Sequence, residues 1–204
     1  MKICKVEGCN NKHKAKGYCA KHYWQIREYG EIIERTKYNS NEIVEYDEYA
    51  EIILYNKDCE EIARTLIDLD DINKVKDYKW CLSHGYTFNK KNNTMLHRLI
   101  MNCPKDMVVD HINHNPLDNR KCNLRICTQQ QNCMNQSINS KNTSGATGVS
   151  YYKQKNKWNS YIIFNDKKIN LGYYNTLEEA IEVRKQAEIK YFGEYRNKDN
   201  EDVG

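Results

Sequence analysis

The sequence predicts a modular α+β protein in which small units follow one another along a chain of 204 residues. Three observations support this fold class. The first 22 residues hold three cysteines and two histidines but few aliphatic side chains. Two short apolar runs enclose an asparagine-rich loop at residues 108–127, "VVDHINHNPLDNRKCNLRIC". Three alternating segments and then one segment with helical periodicity occupy residues 147–193.

The composition excludes several classes of protein. Hydrophobic residues make up 39% of the chain and the mean hydropathy is −0.93, so the chain is polar but has enough apolar material to fold. No apolar run is long enough to cross a membrane, and the charged N-terminus "MKICKVEGCN" is not typical of a secretory signal. Nine cysteines in such a chain indicate reduced thiols and metal sites before disulfides. We therefore expect a cytoplasmic protein.

The net charge of +4 is distributed in blocks. Residues 1–40 carry +5, residues 41–80 carry −7, residues 81–143 carry +5 and residues 144–197 carry +3. Three basic blocks around an acidic one favour contacts with a polyanion. Ordinary solvated surface charge explains the same pattern equally well.

A set of metal ligands stands at the N-terminus. Cys4, Cys9, Cys19 and His22 form the pattern C-x4-C-x9-C-x2-H. Three thiolates and one imidazole suit a tetrahedral structural Zn²⁺ ion, and so short a unit with few aliphatic residues needs a staple to fold. His13 competes with His22 as the fourth ligand, although the tight C-x2-H spacing favours His22. The alternative is a chance grouping of free thiols.

Composition also predicts where the units begin and end. The stretch "MNQSINSKNTSGAT" is polar and lacks hydrophobic periodicity, which indicates a linker. We predict units at 1–40, 41–135 and 146–197, a linker at 136–145 and a tail at 198–204.

Hydrophobic patterns predict the elements within these units. In the middle unit, "IVEYDEYAEIILYN" predicts a hairpin, and "LIDLDDINKVKDYKWCLSHGYTF" predicts a short helical piece before a strand at "GYTF". The run "TMLHRLIM" suits either a strand or a helix. In the last unit, "GVSYY", "KWNSYIIFN" and "KKINLGYY" predict three strands. A helix follows, with a capping box from Thr176 to Glu179, a stop at Gly193 and an apolar stripe formed by Ala180, Val183, Ala187 and Tyr191.

The asparagine-rich stretch predicts a β–loop–β–α unit. Strands run through "MVVDH" and "NLRIC", and the capping-box pair Thr128 and Gln131 starts a helix with Asn132 in its first turn. Asp carboxylate and Asn carbonyl oxygens are hard ligands that suit Mg²⁺ or Mn²⁺. A neutral histidine beside such an ion can take a proton from a water that attacks phosphorus. Asn123 is a candidate to accept a hydrogen bond from the far nitrogen of that ring.

This stretch closely resembles the HNH (ββα-metal) nucleases, specifically the phage and intron-encoded homing endonucleases. The resemblance rests on Asp110, His111, Asn123 and Asn132 within "VDHINHNPLDNRKCNLRICTQQQN", and on "LHRLI" upstream. It implies that His111 is the general base, that Asp110 and Asn132 hold one divalent ion, and that Asn123 orients the base. It also implies that the ion stabilises the leaving 3′ oxygen, which gives products with 5′-phosphate and 3′-hydroxyl ends.

Some details of this stretch stay open. Neighbouring residues of a strand point to opposite faces. Asp110 and His111 therefore serve one phosphate only if the strand ends or bulges there, or if the phosphate lies across the strand edge. His114 stands where related sequences commonly have Gly. The alternative to a site is an Asx-rich turn with an incidental histidine. We predict that the other asparagines of the loop only form turns: Asn113, Asn115 and Asn119.

The C-terminal unit resembles the ethylene-response-factor (APETALA-type) DNA-binding domain. The features that carry this resemblance are "TGV", "KW-x-x-YI", "LGYYNT-x-EEA" and an alanine-bearing helix. Because that family lays a three-stranded sheet in the major groove, the resemblance implies DNA contacts from Lys153, Lys155, Lys157 and Trp158. Lysines in turns are usually only solvated, however, and Trp158 fits equally well beneath the helix.

Other cationic and thiol groups have less specific patterns. Arg120 and Arg125 flank the catalytic loop and Arg98 lies upstream, so all three are candidates for contacts with DNA phosphate. His97 suits a buried position as well as a contact. The cysteines near the loop allow a second zinc, but without a C-x2-C pair we favour buried thiols; they are Cys103, Cys122, Cys127 and Cys133.

Together these features predict a modular, site-specific endonuclease that acts on double-stranded DNA. We expect it in a bacterial or phage-infected cytoplasm, as a monomer or a dimer, with no membrane and no small-molecule cofactor as partners. One alternative is a DNA-binding regulator with an inactive HNH unit. Another is an RNA-binding adaptor, which explains the basic blocks but not the Asp-His, Asn and Asn set.

Overall fold

A computed structural model describes residues 2–33, 35–36 and 39–198 of the chain. The first part consists of tight turns followed by helix α1 (Ala20–Tyr29). Two isolated β-bridges, Ile3 with Lys12 and Ala15 with Tyr18, close these turns. The predicted tail at 198–204 lies outside the described residues, apart from residue 198.

The middle of the chain builds two three-stranded antiparallel sheets. The first contains β1 (Ile43–Glu45), β2 (Ala50–Tyr55) and β3 (Glu61–Ile67), and the predicted hairpin is its β1–β2 pair. A 3-10 turn and helix α2 (Ile72–Val75) lead to the second sheet. Its strands are β4 (Cys81–Ser83), β5 (Tyr86–Asn89) and β6 (Thr94–Met95). The short helical piece and the strand at "GYTF" are thus confirmed.

The β–loop–β–α unit is also present. The ambiguous run "TMLHRLIM" is divided, because β6 ends at Met95 and α3 (Leu96–Ile100) begins at the next residue. β7 (Val108–His111) then pairs antiparallel with β8 (Leu124–Cys127), and α4 (Gln129–Met134) follows. The predicted capping box is confirmed, since the Thr128 hydroxyl accepts from the Gln131 N–H and the Gln131 side chain accepts from the Thr128 N–H.

One hydrophobic core supports both sheets and this unit. Its buried members are Ala50, Ile52, Leu54, Ile67, Val75, Trp80, Leu96, Ile100, Val109 and Leu124. Full burial of such an aliphatic side chain contributes about 1.5–3 kcal/mol. Because Val109 and Leu124 belong to this core, the strand that carries the Asp-His pair and its partner β8 both pack on this core.

The last unit is a sheet packed against a helix. β9 (Val149–Tyr152), β10 (Lys157–Phe164) and β11 (Lys167–Tyr174) are antiparallel with β10 in the centre, and α5 (Leu177–Phe192) packs against them. The capping box at Thr176 and the stop before Gly193 are confirmed. In the predicted stripe, Ala180 and Ala187 are buried, whereas Val183 and Tyr191 are only half-buried.

Gly148, in the segment "TGV", is required by close packing. Its φ is +79°, and a Cβ there would stand 2.3 Å from the Tyr161 carbonyl oxygen. Buried Arg184 of α5, which hydrophobic periodicity did not predict, donates to the same oxygen over 2.7 Å. A glycine therefore lets the chain approach β10 where a larger residue would clash.

These elements make a mixed helix-and-sheet protein with small sheets, in agreement with the predicted α+β class. Among the described helices, none combines the length and the apolar character that a membrane span requires.

Candidate active site

The Asp-His pair lies at the end of β7. Asp110 stands opposite Arg125 of β8, and His111 stands opposite Leu124. Asp110 and His111 are both buried, with exposed fractions of 6% and 7%. The strand ends at His111, and the next N–H, of Ile112, donates to the Asn123 carbonyl oxygen over 2.9 Å. The strand thus ends directly after this pair, with no bulge between Asp110 and His111.

The Asp110 carboxylate is held by two side chains. Its Oδ2 accepts from Arg125 Nε at 2.8 Å and from Arg125 Nη2 at 2.6 Å. Asn135 Nδ2 lies 3.1 Å from both carboxylate oxygens. Oδ1 therefore keeps a lone pair that the protein does not use. Because Mg²⁺ is commonly bound through one or two carboxylates and several waters, this oxygen suits the expected cation.

Asn135, directly after α4, is a site residue that the sequence analysis missed. Its side chain is almost fully buried, and its Nδ2 also lies 3.2 Å from the His111 carbonyl oxygen and 3.4 Å from that of Ile112. Only an NH₂ group satisfies so many acceptors, so the amide orientation follows from its surroundings. The signal in the sequence was its spacing of three from Asn132, which places both side chains on one face of the helix.

Asn132 lies in the first turn of α4, as predicted. Its side chain is half-buried. Within the described part of the chain, its amide group makes no hydrogen bond. The amide oxygen is therefore available to a ligand.

His111 is enclosed by a polar group on one side and by aromatic rings on the other. Its Nε2 lies 3.2 Å from Asn119 Oδ1, and its ring centroid lies 5.1 Å from that of His97 and 6.0 Å from that of Tyr86. Burial lowers the pKa of His111, while the Asn119 hydrogen bond and nearby carboxylates act in the opposite direction. The ring is therefore uncharged at neutral pH, as a general base must be.

His97 takes the buried position that the sequence left open. It belongs to α3, and its exposed fraction is 8%. Burial, followed by the proximity of His111 and Arg98, lowers the pKa of His97 to about 3. The ring packs edge-on against His111 and is uncharged over the physiological range.

Asn123 does not contact the imidazole, so the predicted orienting contact is corrected. Its Oδ1 accepts from the Asn113 N–H and its Nδ2 donates to the Asp118 carbonyl oxygen, both over 2.9 Å. These bonds close the loop on itself, because a short amide side chain can replace backbone partners within a turn. Asn119 occupies the place that was predicted for Asn123.

The remaining polar side chains of the loop shape its turns. Asn115 Oδ1 accepts from the Leu117 N–H over 3.1 Å, which confirms a turn-forming role. His114 has a left-handed backbone with φ of +60°, a conformation that favours glycine. Its ring contacts the Asn135 carbonyl oxygen at 2.5 Å and the Ser137 hydroxyl at 3.0 Å. His114 thereby ties the loop to the end of α4.

Arg98 and Arg120, which were predicted to contact DNA phosphate, form hydrogen bonds within the protein. Arg98 donates to the carbonyl oxygens of Met107 at 2.8 Å and Pro104 at 2.7 Å. Arg120 forms a two-point ion pair with Asp118, at 2.8 and 2.7 Å. The Arg98 guanidinium thus holds backbone groups, whereas the Arg120 side chain remains 34% exposed.

Arg125, the third of these arginines, is engaged on every side. Besides its bonds to Asp110, it donates from Nη1 to the Glu194 carbonyl oxygen over 2.6 Å. Its guanidinium carbon lies 4.9 Å from the centroid of the Tyr195 ring. This guanidinium joins the Asp110 carboxylate to the segment after α5, and its contact with DNA phosphate stays a prediction.

The N-terminal ligands converge as the sequence predicts. One donor atom from each of Cys4, Cys9, Cys19 and His22 lies within 4.8 Å of all the others. The Cys4 Sγ to His22 Nδ1 distance is 3.2 Å and the Cys9 to Cys19 Sγ distance is 3.9 Å. Tetrahedral Zn²⁺ with bonds of about 2.0–2.3 Å separates its ligands by roughly 3.5–3.8 Å, so the donor set fits this ion. His13 instead accepts from the Gly17 N–H over 2.9 Å.

The environment of Cys4 favours its thiolate. Burial raises the pKa of Cys4, but hydrogen bonds from His22 and from backbone N–H groups outweigh it and bring the pKa to about 6. Among the described residues this is the sole metal-ligand cluster of three or more His, Cys, Asp or Glu side chains. Of the four cysteines near the loop, Cys127 is buried, and burial raises its pKa to about 11. Cys103 is half-buried, and the expectation of buried thiols is wrong for Cys122 and Cys133, which are exposed.

The C-terminal sheet separates the predicted DNA-contact residues onto different surfaces. Lys153 and Lys155 are exposed in the turn between β9 and β10, and Lys157 is half-buried at the start of β10. By strand alternation, Trp158 shares its face with buried Ser160 and Ile162, which α5 covers. This position favours the packing alternative for half-buried Trp158, whose ring lies 5.2 Å from that of Tyr151, and its DNA contact stays a prediction.

The opposite face of this sheet is open and carries tyrosines and lysines. The rings of Tyr152 and Tyr173 lie 5.6 Å apart, and Lys155 Nζ lies 3.9 Å from the centroid of Tyr173. Lys168 Nζ lies 3.8 Å from the ring centroid of Tyr161. This combination of stacked aromatic rings and cations was not identified from the sequence.

Known proteins are similar to the chain in its central part. A family model described as HNH endonuclease matches residues 95–134. "Uncharacterized HNH endonuclease L560" of Acanthamoeba polyphaga mimivirus is 33% identical over 137 residues, which cover 63% of this chain and 71% of that protein. "Protein 3.8" of Escherichia phage T7 is 33% identical over 75 residues, which cover 37% of this chain and 62% of that protein. No solved structure is significantly similar.

The matched region contains β7, β8 and α4 with the loop between them, and so includes Asp110, His111, Asn123 and Asn132. The similarity to the mimivirus protein extends well beyond this motif. The chain therefore belongs to the HNH endonuclease family.

Proposed function

We propose that the protein is a site-specific, metal-dependent DNA endonuclease of the homing type. One observation carries this proposal: at the end of β7, a buried and uncharged His111 directly follows a carboxylate whose Oδ1 accepts only from Asn135 and so keeps one lone pair. The family implies a divalent cation here, and the donor set of Asp110 Oδ1 and the free amide of Asn132 fits Mg²⁺ or Mn²⁺. Such an ion supplies Lewis-acid stabilisation of the leaving 3′ oxygen when bound.

The side chains of the chain itself have distinct roles in this proposal. His111 takes a proton from the water that attacks phosphorus. Arg125 and Asn135 fix the orientation of the Asp110 carboxylate through their hydrogen bonds to it. Asn123 stabilises the loop by its hydrogen bonds to Asn113 and Asp118 and does not contact the His111 imidazole. Hydrolysis with this geometry leaves a 5′-phosphate and a 3′-hydroxyl.

DNA binding is assigned to the modules on either side. We propose a zinc-binding unit at 1–40, a nuclease unit at 41–135, a linker at 136–145 and an ethylene-response-factor-like unit at 146–197. The open face of the C-terminal sheet supports this proposal, because aromatic rings and lysines suit contacts with bases and phosphates. The proposed phosphate contacts come from three cations whose side chains solvent can reach: Lys153, Lys155 and Arg120.

A cleavage assay tests the central claim. A pool of supercoiled plasmids with randomised inserts is incubated with the protein and Mg²⁺ or Mn²⁺, and nicked and linear products are separated and their ends sequenced. We expect metal-dependent cleavage with 5′-phosphate ends, which His111→Ala reduces by at least about 100-fold. His84→Asn is the matched control, because His84 is exposed in a turn with φ of +50° that asparagine also adopts. Cleavage that survives His111→Ala would contradict the mechanism.

One observation favours a second function, that of a DNA-binding regulator with an inactive nuclease unit. Arg125 and Asn135 already satisfy part of the Asp110 carboxylate without a cation. The same plasmid pool separates the two functions. The regulator predicts retarded mobility of selected DNA without any cleavage, in either metal. The ratio of nicked to linear product also separates a monomer that nicks from a dimer that cuts both strands.

A further inference from the structure

A buried hydrogen-bond network connects His111 with the first sheet. His111 Nε2 lies 3.2 Å from Asn119 Oδ1, and Asn119 Nδ2 donates to Thr65 Oγ1 over 2.7 Å. Thr65, in β3, in turn donates its hydroxyl proton to the Leu117 carbonyl oxygen over 2.9 Å. The side chains of Asn119 and Thr65 are both fully buried. These bonds connect the loop to β3 and do not only close a turn within the loop.

The direction of each bond in this network can be assigned. The single hydroxyl proton of Thr65 is directed to a carbonyl oxygen, so Thr65 Oγ1 can only accept from Asn119. The Pro116 carbonyl oxygen lies 3.3 Å from the same Asn119 nitrogen. Two acceptors thus require the NH₂ of Asn119 on this side, and its Oδ1 must face the imidazole.

The position of the imidazole proton follows. An amide oxygen can only accept, so His111 must carry its proton at Nε2 to satisfy Asn119 Oδ1. Nδ1 then holds the lone pair of the uncharged ring. Within the described part of the chain, Nδ1 has no hydrogen-bond partner. The basic nitrogen is therefore the one that the protein leaves free.

The network is fixed to the backbone of the first sheet. The Leu66 N–H donates to the Leu117 carbonyl oxygen over 2.8 Å, and the Asn119 N–H donates to the Leu66 carbonyl oxygen over 2.9 Å. The loop at 117–119 thus pairs with β3 through a short parallel bridge between Leu66 and Asp118. Because Leu66 lies between Thr65 and Ile67, which are both fully buried, this anchor belongs to a closely packed part of the sheet.

We propose that Asn119, held by Thr65, is the positioning residue that fixes His111 in its Nε2–H tautomer and leaves Nδ1 as the base. This inference rests on the proposed function of His111, and it assigns the proton to a particular atom. It also gives the first sheet a part in catalysis, through a side chain 54 positions from Asn119 along the chain. Removal of the partners that orient metal-bound histidines typically lowers activity by about 10- to 100-fold, and we expect an effect of the same order for the partner of this base.

Nitrogen-15 NMR of the imidazole groups tests the proposal in the full-length protein purified with its zinc and without added Mg²⁺ or Mn²⁺. The His111 signals are assigned by their loss in His111→Ala, and their shifts identify which nitrogen carries the proton. We expect the Nε2–H tautomer in the wild-type protein and in Thr65→Ser, which keeps the hydroxyl. In Thr65→Val, which keeps the shape without the hydroxyl, we expect a mixture of tautomers, because the amide of Asn119 loses its anchor. Asn119→Leu gives the same change directly.

Cleavage by the same variants provides the second measurement. Thr65→Val and Asn119→Leu are expected to lower kcat about 10- to 100-fold at saturating DNA with little change in KM, and Thr65→Ser to retain it. A wild-type ring protonated at Nδ1, or a tautomer that neither Thr65→Val nor Asn119→Leu changes, would overturn the inference. Absence of cleavage by all proteins, with the expected tautomers, would instead contradict the proposed function alone.

Discussion

Asp110 carries a buried negative charge, and the Arg125 guanidinium neutralises it over 2.6 Å. Their side chains are 7% and 16% exposed. Removal of one partner from a buried ion pair leaves an uncompensated charge, which costs about 3–5 kcal/mol. We therefore expect Arg125→Met to lower the free energy of unfolding by this amount in urea titrations without added divalent metal.

A surface pair of the first sheet provides the control for this prediction. Arg64 contacts Glu61 at 2.6 Å, but their side chains are 41% and 43% exposed. Exposed ion pairs contribute about 1 kcal/mol or less. Arg64→Met is therefore expected to change the free energy of unfolding little. If Arg125→Met and Arg64→Met lower it equally, the buried pair of Asp110 and Arg125 stabilises the fold no more than an exposed pair.

His97 predicts a dependence of stability on pH. Its folded-state pKa is about 3, and an unfolded histidine titrates near 6.5. The folded state thus binds fewer protons, so this residue lowers stability as the pH falls below about 6.5, and the loss is complete below about 3. At pH 5 the loss amounts to about 2 kcal/mol relative to pH 7.5.

The phenylalanine variant isolates this contribution from that of other groups. His97→Phe keeps an aromatic ring in the same place but has no titrating nitrogen. The difference in unfolding free energy between pH 7.5 and pH 5, measured by urea denaturation, should be about 2 kcal/mol smaller in the variant. Equal pH dependence in both proteins would mean that His97 is protonated in the folded state.

Sequence reasoning at this scale succeeded for side chains whose position depends on local spacing. The placement of Asn132 in the first turn of α4 follows from a capping box four residues earlier. The contact between Asn119 and His111 was not predictable, because it depends on Thr65 in another sheet. Asn119 and Asn123 are chemically identical in the sequence, and only the closed loop distinguishes the one that faces the ring.

Helix α4 is the element that carries the candidate cation ligand Asn132, and it has only six residues. Helices so short depend on their caps and on packing. Thr128→Ala removes the cap and is expected to cost about 1 kcal/mol. Because the first turn frays, we also expect weaker Mn²⁺ binding by titration calorimetry and a lower kcat.

The equivalent cap of α5 is the matched control. Thr176 forms the same capping box with Glu179 but lies in the C-terminal unit. Thr176→Ala is expected to lose comparable stability, about 1 kcal/mol, without a change in Mn²⁺ affinity. If both variants weaken Mn²⁺ binding equally, the effect comes from general destabilisation rather than from Asn132.

At the scale of elements, long periodic segments were predictable and short ones were not. The sixteen residues of α5 and the eight residues of β10 repeat their pattern often enough to identify the element. The run "TMLHRLIM" contains a two-residue strand and a five-residue helix, and neither completes enough periods to be recognised. Trp158 shows a further limit, since alternation gives two faces but only the position of α5 says which one is covered.

At the scale of the whole molecule, the N-terminal unit predicts one zinc per chain. We expect a mercurial reagent and a chromogenic chelator to release about one equivalent of Zn²⁺ from the purified protein. Cys19→Ser should lose it, because Cys19 is a buried member of the cluster. Cys59→Ser is the control, since Cys59 lies outside the cluster in a turn of the first sheet. Zinc content that is unchanged in Cys19→Ser would contradict the site.

The segment after α5 contacts the candidate active site. Arg125 contacts Asp110 in the centre and Glu194 and Tyr195 after α5. Asn197 Nδ2 also donates to the Gln136 carbonyl oxygen over 3.2 Å. The segment after α5 is thus held against β8 and the residues after α4 by side-chain contacts, which composition alone did not predict because they join distant parts of the chain.

The salt dependence of DNA binding tests which face of the C-terminal sheet meets the duplex. Each phosphate contact made by a lysine releases counterions, so the slope of log K against log salt falls by about 1 when the contact is lost. We expect this change in Lys155→Gln and in Lys157→Gln, both beside the open tyrosine face. Lys185→Gln is the control, because Lys185 is exposed on α5, on the other side of the sheet. A reduced slope in Lys185→Gln alone would place the duplex against the helix, and the sheet face would then have no part in DNA binding.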